Sequence, residues 1–332
     1  MVKKRSMWPS RSVLVTGGSG FVGYWLASYL AKLGTKTFVL DIKPLPEFTV
    51  LERDYRERIT YIRGDVASQK LVQKILSERK IETVFHLAAE AVVSRAHENP
   101  RTTFESNVEG TWNLLECARE VGRVKEIVVA SSDKAYGSHT KLPYEEHFAL
   151  EGMNSYDASK SCTDIIARMY AKAYGLPIVV ARFGNIYGAG DLNKTRLIPD
   201  ALRCIYGKKE LILRSDGTFL RDYVYIADVV DGYLRLAEEI HRKRIAGEAF
   251  NLAHNKPLSV MGVLAKLEKA ADMKLKVKIR NTARHEIRNQ YLNSRKAAKI
   301  IGWRAQTPMS VGFRETARWY ETFFKNNGQL EA

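Results

Sequence analysis

The first half of the chain alternates short runs of β-branched and aliphatic residues with longer stretches in which apolar residues recur at helical spacing. Such alternation is typical of βαβ units on a parallel sheet, and an uninterrupted apolar run such as Ile127–Ala130 suits a strand buried on both faces. The predicted strands are Ser12–Thr16, Thr37–Asp41, Ile59–Arg63, Thr83–Leu87, Glu126–Ser131 and Ile178–Phe183. The predicted helices between them are Tyr24–Leu33, Gln69–Glu78, Phe104–Val121 and Ser155–Tyr174.

The rhythm changes after Gly188, where a loop rich in Gly, Asn and Asp precedes the rest of the chain. The patterns that follow predict a helix at Leu197–Ile205, a hairpin-like segment around Ser215–Gly217, and helices at Leu258–Ala271 and Ser294–Ile301. We therefore predict an α/β fold with a doubly wound parallel sheet in residues 1–183. The chain is expected to return to that sheet at about 225–252, and residues 184–332 mainly form a smaller α/β domain.

Composition places the chain among ordinary soluble proteins, with 45% hydrophobic and 27% charged residues. The longest apolar runs are far too short to span a bilayer, and the basic N-terminus is not followed by an apolar segment, so no secretory signal is predicted. The three cysteines, Cys117, Cys162 and Cys204, are odd in number and widely spaced. We expect reduced thiols in a cytoplasmic protein and no metal site.

The charge balance is unusual, since 53 Lys and Arg against 37 Asp and Glu give a net charge of +16. Residues 271–332 contribute strongly, with thirteen basic residues against five acidic ones. This excess favours an anionic partner through electrostatic steering. Nucleic acid is not the expected partner, because neither a recognisable fold nor interleaved aromatic and basic residues accompany the charge. A solvated basic surface without a specific partner remains open for most of these residues.

A glycine-rich turn follows the first predicted strand. Gly17, Gly20 and Gly23 form a G-x-x-G-x-x-G pattern at the start of a predicted helix. A dinucleotide site needs a tight turn, close approach of the backbone to pyrophosphate, and a helix N-terminus directed at the anion. The position of the turn between strand and helix therefore predicts a Rossmann-type dinucleotide site.

Two aspartates follow the second and third predicted strands. Asp41 lies where a carboxylate would bond the adenosine ribose and repel a 2′-phosphate, which favours NAD over NADP despite Lys43 nearby. Asp65, in Gly64-Asp65-Val66, is a candidate for contact with the adenine amino group. The alternative is that both aspartates only cap loops.

The candidate catalytic residues lie in two short segments. Tyr156 and Lys160 are four residues apart on a predicted helix, so both side chains share one face. A nearby ammonium and the charge of a nicotinamide ring favour tyrosinate, which would make Tyr156 a base near neutral pH. Ser132 ends the preceding strand, and Asp133 and Lys134 follow it directly.

These segments together resemble the extended short-chain dehydrogenase/reductases, specifically the nucleotide-sugar epimerase/dehydratase family. The resemblance covers nearly the whole chain. Its motifs are Thr16–Gly23, Asp41, Gly64–Val66, His86–Ala89, Asn107–Thr111, Ser131–Gly137, Tyr156-x-x-x-Lys160, Arg182–Gly188, Arg221–Tyr225 and Gln290–Trp303.

The resemblance implies roles for the matching residues. Ser132 would bond the sugar 4-hydroxyl, Tyr156 would remove its proton, and NAD would accept hydride from C4. The cofactor-binding set would be Gly17, Gly20, Phe21, Val22, Gly23, Asp41, Asp65, Val66, Leu87, Ala88, Ala89, Tyr156 and Lys160. The C-terminal domain would bind the nucleotide sugar.

The reaction after oxidation depends on Asp133 and Lys134. An Asp-Lys pair resembles that of CDP-glucose and certain UDP-N-acetylglucosamine 4,6-dehydratases, which implies Asp133 as the acid for O6 and Lys134 as the C5 base or an orienting charge. The structural alternative is a local ion pair at a strand end. A nucleotide-sugar 4-epimerase such as a UDP-glucose 4-epimerase, and a binding protein without turnover, remain the competing functions.

Four further residues are candidates on the substrate side. Asn185 resembles the family residue that contacts the diphosphate-sugar, whereas Arg182 is expected to anchor the loop. Arg196, Arg221 and Arg288 are candidates for pyrophosphate contacts, although they could also be ordinary surface arginines. By the same resemblance, the helices at Phe104–Arg119 and Ser159–Tyr174 would pair across a two-fold axis in a homodimer.

Overall fold

The centre of the protein is a seven-stranded parallel sheet. A computed structural model describes residues 7–282 and 287–326. The sheet runs in the order β11-β6-β5-β4-β1-β2-β3, so the strand order reverses between β1 and β4. Its strands are β1 (Ser12–Thr16), β2 (Lys36–Asp41), β3 (Ile59–Arg63), β4 (Thr83–His86), β5 (Glu126–Ser132), β6 (Ile178–Phe183) and β11 (Ala249–Leu252).

Helices cover both faces of this sheet because its strands carry apolar side chains on both sides. Along β5, Val128 joins the core on one face, while Ile127 and Val129 join the core on the other. The first core includes residues of α1 and α8, and the second includes residues of α2, α5 and α6. These helices and two short ones are α1 (Phe21–Lys32), α2 (Gln69–Glu78), α3 (Val93–Glu98), α4 (Pro100–Phe104), α5 (Gly110–Val121), α6 (Ser155–Tyr174) and α8 (Ile226–Glu239).

The remaining elements form a smaller part with its own apolar core. Its strands make three small sheets, ordered β10-β7, β12-β9-β14 and β13-β8. The strands are β7 (Asn185–Tyr187), β8 (Glu210–Leu213), β9 (Leu220–Arg221), β10 (Tyr223–Tyr225), β12 (Leu258–Ser259), β13 (Lys276–Ile279) and β14 (Asn289–Gln290), and the helices are α7 (Leu197–Tyr206), α9 (Val260–Ala271), α10 (Arg295–Ile300) and α11 (Met309–Asn326).

Most of the predicted elements are confirmed, and two predictions need correction. The hairpin predicted around Ser215–Gly217 is wrong, because β8 pairs with β13 and β9 pairs with β12 and β14. The segment is a turn in which Asp216 Oδ1 accepts hydrogen bonds from the backbone and hydroxyl of Thr218. The helix predicted at Phe104–Val121 contains a π-helical stretch, Glu105–Glu109, directly before α5.

Helix α11 connects the two parts of the molecule. Its Trp319 Nε1 donates to Thr49 O at 3.0 Å, and its ring packs against Phe48 in the loop after β2. This contact, together with β11 at the edge of the large sheet, fixes the smaller part beside the carboxyl ends of the parallel strands. Among the residues described, every helix is too short or too polar to cross a bilayer.

Candidate active site

The glycine turn closes tightly against the end of β4. Gly17 has a φ of +70°, and a Cβ there would lie 2.6 Å from Ala88 N. A Cβ on Gly23 would lie 2.2 Å from Gly17 O, so both positions require glycine. Helix α1 begins immediately after Gly20, at Phe21 and Val22, and its N-terminal amides lie at the point where the strand order reverses. This arrangement fits the pyrophosphate of NAD.

Both predicted adenosine contacts make local hydrogen bonds. Asp41 Oδ2 accepts from Ser19 N and Oδ1 from Lys43 N, each at 2.9 Å, which ties the end of β2 to the glycine turn. Asp65 Oδ1 accepts from Ala67 N at 2.9 Å. These are the loop contacts of the alternative interpretation, but each carboxylate retains further lone pairs for a ligand. Their roles toward the ribose and adenine therefore stay predictions.

The predicted cofactor contacts Val66, Leu87, Ala88 and Ala89 lie around the same turn. Ala88 N donates to Thr16 Oγ1 at 3.2 Å, which holds the end of β4 against the end of β1. Val66 is buried and packs closely against Gly110. A Cβ on Gly110 would lie only 2.6 Å from Val66 Cγ1. The segment after β4 thus packs against the glycine turn, and Val66, in the loop after β3, packs against the start of α5.

His86 belongs to the framework of the site. Its ring nitrogens lie 2.8 Å from Thr16 Oγ1 and 3.0 Å from Thr111 Oγ1. Burial, with a smaller effect from the Lys160 charge, lowers the pKa of His86 to about 3. His86 is therefore neutral at physiological pH and connects β1, β4 and α5 rather than serving as an acid.

Ser132, Tyr156 and Lys160 come together at the carboxyl end of β5. Ser132 ends the strand, Tyr156 lies in the first turn of α6, and the Ser132 hydroxyl is close enough to Tyr156 to lower the pKa of its phenol. Lys160 Nζ donates to Ala130 O at 2.9 Å, which packs α6 against β5. The spacing of Tyr156 and Lys160 thus places both side chains toward the same strand end.

Burial acts in opposite directions on these two groups. It raises the pKa of Tyr156 to about 12, while the Arg196 charge lowers that value and Asp133 raises it. It lowers the pKa of Lys160 to about 8, against an opposing effect of Asp164. The side chains of this chain therefore hold Tyr156 as a phenol at neutral pH. The tyrosinate expected from the sequence remains a prediction for the cofactor-bound protein.

Asp133 and Lys134 form a short 3₁₀ turn after β5. Asp133 is 4% exposed, and Ser132 Oγ donates to its Oδ1 at 3.1 Å. Burial raises the pKa of Asp133, although the charge of Lys134 opposes the shift. Lys134 Nζ donates to Gln290 Oε1, so its hydrogen bond runs to a neutral amide and not to the Asp133 carboxylate. This differs from the local ion pair of the structural alternative.

The substrate-side candidates divide into two groups. Arg196 lies near Tyr156, as its effect on that pKa requires, and its Nη1 donates to Asp191 Oδ2 at 3.1 Å. Arg221 lowers the pKa of Asp133, and it donates to the main-chain oxygens of Ile287 and Arg288. The Arg288 side chain is exposed and its charge lowers the pKa of Asp216. Arg196 and Arg221 thus lie close to the catalytic candidates, and Arg288 lies toward the 215–218 turn.

Asn185 and Arg182 flank the start of the loop after β6. Asn185 is half-buried at the start of β7, where its backbone N donates to Asp222 O at 3.1 Å. Arg182 is fully buried and donates two 2.7 Å hydrogen bonds to the carboxylate of Asp164 and one to Tyr136. Arg182 therefore anchors β6 to α6.

Three contributing residues were missed in the sequence analysis. Asp164 lies four residues after Lys160, a spacing that the sequence displays. Asn107 lies within a motif already noted, and its Nδ2 donates to Ser159 Oγ at 2.8 Å. Gln290 begins the Gln290–Trp303 motif already noted, but its contact with the Asp133–Lys134 turn, more than a hundred residues away in sequence, was not anticipated.

Comparison with known proteins agrees with this geometry. Residues 13–253 match the profile of the NAD dependent epimerase/dehydratase family. The chain is 30% identical to the CDP-glucose 4,6-dehydratase of Salmonella typhimurium, over 71% of this chain and 69% of that protein. It is also 30% identical to UDP-glucuronate 4-epimerase 2 of Arabidopsis thaliana, over 97% of this chain and 78% of that protein.

A solved structure gives the same result for the fold. The dTDP-glucose 4,6-dehydratase of Streptomyces venezuelae, determined with NAD bound, superposes with a TM-score of 0.83 at 27% identity. The match covers 94% of this chain and 98% of that one. The similarity therefore extends through both the large sheet and the smaller C-terminal part.

Proposed function

The chain belongs to the NAD-dependent epimerase/dehydratase family, and from that premise we propose that it is a nucleotide-sugar 4,6-dehydratase. The observation that carries the proposal is the pair Asp133 and Lys134 at the end of β5, beside Ser132. Asp133 is buried with a raised pKa, which suits a group that must carry a proton before it donates one. The similarity to a CDP-glucose 4,6-dehydratase supports the same choice.

The first step would be oxidation of the sugar at C4. When bound, NAD supplies a hydride acceptor at C4 and later a hydride donor at C6. Ser132 would bond the 4-hydroxyl, and Tyr156 would remove its proton as the C4–H bond breaks. Lys160, which is buried and donates a hydrogen bond to Ala130 O, would hold the positive charge that favours the tyrosinate form required for this step.

The second step would be loss of water across C5 and C6. The 4-keto group acidifies the C5 hydrogen, and Lys134 would remove that proton. Asp133 would donate its proton to O6 as the C6–O bond breaks, so one water leaves. Hydride returned to C6 and a proton returned to C5 then complete a 4-keto-6-deoxy sugar.

The competing function is a nucleotide-sugar 4-epimerase. It is favoured by the similarity to a UDP-glucuronate 4-epimerase, which covers 97% of this chain. Ser132, Tyr156 and Lys160 would serve that reaction equally well. It would not require Asp133 or Lys134 for proton transfer, so these two residues separate the two functions.

Mass spectrometry of a panel of CDP-, UDP-, GDP- and dTDP-hexoses tests the proposal. A dehydratase gives a product lighter by one water, and an epimerase gives an isomer of unchanged mass.

We expect Tyr156→Phe to lower either activity by ~10²–10⁴-fold, since it removes the base. We expect Asp133→Asn to lower dehydration by ~10²-fold or more. Dehydration at the wild-type rate in Asp133→Asn would contradict the role of Asp133, and an isomeric product would establish the epimerase.

We propose a division of labour that matches the two parts of the fold. Residues 1–183, with the returning β11, would hold NAD, and residues 184–332 would mainly bind the nucleotide sugar. Asn185, Arg196, Arg221 and Arg288 are the proposed substrate contacts. A cytoplasmic location is likewise a proposal, resting on three cysteines that are free thiols in the structure.

We also propose a homodimer formed through α5 and α6. Trp112 on α5 is 45% exposed, and Ile165 and Met169 on α6 are 54% and 41% exposed. The two helices pack against each other, and in the proposed dimer these exposed side chains would form one apolar surface. Apolar side chains gathered on one face are typical of an association surface.

A further inference from the structure

Gln290 joins the smaller part of the molecule to the turn that carries Asp133 and Lys134. It ends β14 and its side chain is fully buried. Its Nε2 donates to Asp133 O at 3.0 Å, and its Oε1 accepts a hydrogen bond from Lys134 Nζ. One amide thus binds two consecutive residues of the turn.

The orientation of this amide follows from the chemistry of its partners. A lysine amine offers only N–H groups as an ammonium, and a main-chain carbonyl only accepts. Rotating the amide by half a turn would place donor against donor and acceptor against acceptor. The backbone is also fixed, because β14 pairs with β9 and Gln290 is in register with Arg221.

The surroundings of Lys134 contain two carboxyl groups. The Lys134 charge opposes the burial-induced rise in pKa of both Asp133 and Asp157. The Arg221 charge also lowers the pKa of Asp133. Gln290 adds no charge to this group. It holds the amine through one N–H, and a deprotonated amine held in this way keeps its lone pair available.

We propose that Gln290 is a positioning residue that aims the Lys134 amine at the substrate carbon from which it removes a proton. This inference rests on the dehydratase function proposed above. A neutral acceptor orients the amine without the preference for the ammonium form that a carboxylate would impose. The smaller part of the molecule thereby completes the proton-transfer machinery as well as binding substrate.

Two variants of the NAD-loaded protein test this role. Gln290→Met has a side chain of similar length without hydrogen-bonding groups, and we expect kcat for dehydration to fall by ~10–100-fold with a much smaller change in KM. Gln290→Glu places a carboxylate beside the amine. We expect the pH midpoint for acetylation of Lys134, followed by peptide mass spectrometry, to move upward by about one unit or more.

The controls separate positioning from folding. Gln73→Met makes the same chemical change on the exposed face of α2, and we expect wild-type kcat and wild-type labelling of Lys134. If Gln290→Met does not fold, the nearly isosteric Gln290→Glu still reports the contact. An unmoved labelling midpoint in Gln290→Glu, or an unchanged kcat in Gln290→Met, would overturn the inference. Labelling requires no turnover, so a wild-type protein that fails to dehydrate any sugar would refute the proposed function separately.

Discussion

Asp157 is the residue whose environment most clearly costs stability. It follows Tyr156 in α6, is 4% exposed, and its Oδ2 accepts from Asn154 Nδ2 at 2.7 Å. Among the described residues, its Oδ1 finds no hydrogen-bond partner. Burial therefore raises the pKa of Asp157 to about 6. Folding therefore makes the carboxylate form of Asp157 less favourable than it is in the unfolded chain.

This shift predicts a pH-dependent effect of Asp157→Asn. Because the pKa of Asp157 is higher in the folded than in the unfolded state, protonation of this group stabilises the folded protein. This contribution to the free energy of unfolding is complete below about pH 4 and is lost as pH rises through about 6. Because Asn does not titrate, the stability of the variant relative to wild type should rise between pH 4 and pH 7, by up to about 3 kcal/mol. Urea unfolding at a fixed NAD concentration measures it. Asp133 and Asp222 are present in both proteins, so their contributions to the pH dependence of stability cancel to first order in the difference between variant and wild type.

Asp54→Asn supplies a control of opposite sign. A hydrogen bond from Arg56 lowers the pKa of this partly exposed carboxyl group. The ionised Asp54 stabilises the folded wild-type protein above the unfolded pKa, and this stabilisation is lost as pH falls. Asp54→Asn lacks it, so the stability of this variant relative to wild type should fall as pH rises. A difference between Asp157→Asn and wild type that is independent of pH would contradict the assigned environment.

At the scale of elements, one buried ion pair joins α6 to β6. The carboxylate of Asp164 receives hydrogen bonds of 2.7 Å from both Nε and Nη2 of Arg182, and both side chains are fully buried. Asp164 also supports the charge of Lys160, one turn earlier on the same helix. The pair thus fixes the helix that presents Tyr156 and Lys160.

Breaking this pair should be strongly destabilising. Asp164→Asn leaves the Arg182 guanidinium buried without its hydrogen-bonded counter-charge, and we expect a loss of about 3–5 kcal/mol in the free energy of unfolding. Replacing both residues, as Asp164→Leu with Arg182→Met, should recover a large part of that loss. Glu321→Gln, which breaks the exposed Glu321–Lys325 pair, is the matched control. A single-variant loss no larger than that of the control would refute the argument.

The elements that the sequence predicted are those with strong periodicity. Strands β1, β3 and β6 and helices α2 and α6 begin and end where predicted, because buried apolar runs and amphipathic spacing define them. The π-helical stretch before α5 was missed because it depends on contacts between elements. Asn107 O accepts hydrogen bonds from Thr111 Oγ1 and from Thr163 Oγ1 on α6.

The catalytic group was predictable only in its local parts. Tyr156 and Lys160 share a helix, and Ser132, Asp133 and Lys134 are consecutive, so spacing together with the family resemblance suggested them. The contact of Gln290 with Lys134 was not predictable although Gln290 begins a noted motif, since β14 has two residues and its position depends on pairing with β9. The hairpin error has the same origin, because short strands take partners that only the tertiary fold brings together.

At the scale of the whole molecule, the proposed association of two copies depends on exposed apolar side chains of α5 and α6. Ile165 and Met169 lie one turn apart and exposed on α6, and Trp112 is exposed on α5, which packs against α6. In a two-fold interface each substitution occurs twice, so its effect on dimerisation is doubled. Burial of one such side chain contributes about 1.5–3 kcal/mol, and a buried unpaired charge reverses that gain.

We therefore expect light scattering to find a dimer for the wild-type protein at micromolar concentration and a monomer for Ile165→Asp with Met169→Asp. Ile279→Asp introduces the same charge at a 49% exposed isoleucine on β13 in the smaller part, and it should remain dimeric. A monomeric wild-type protein, or equal dissociation in the control, would rule out the α5–α6 face. Because α6 carries Tyr156 and Lys160, the monomeric variant should also lose activity as its helix becomes less firmly held.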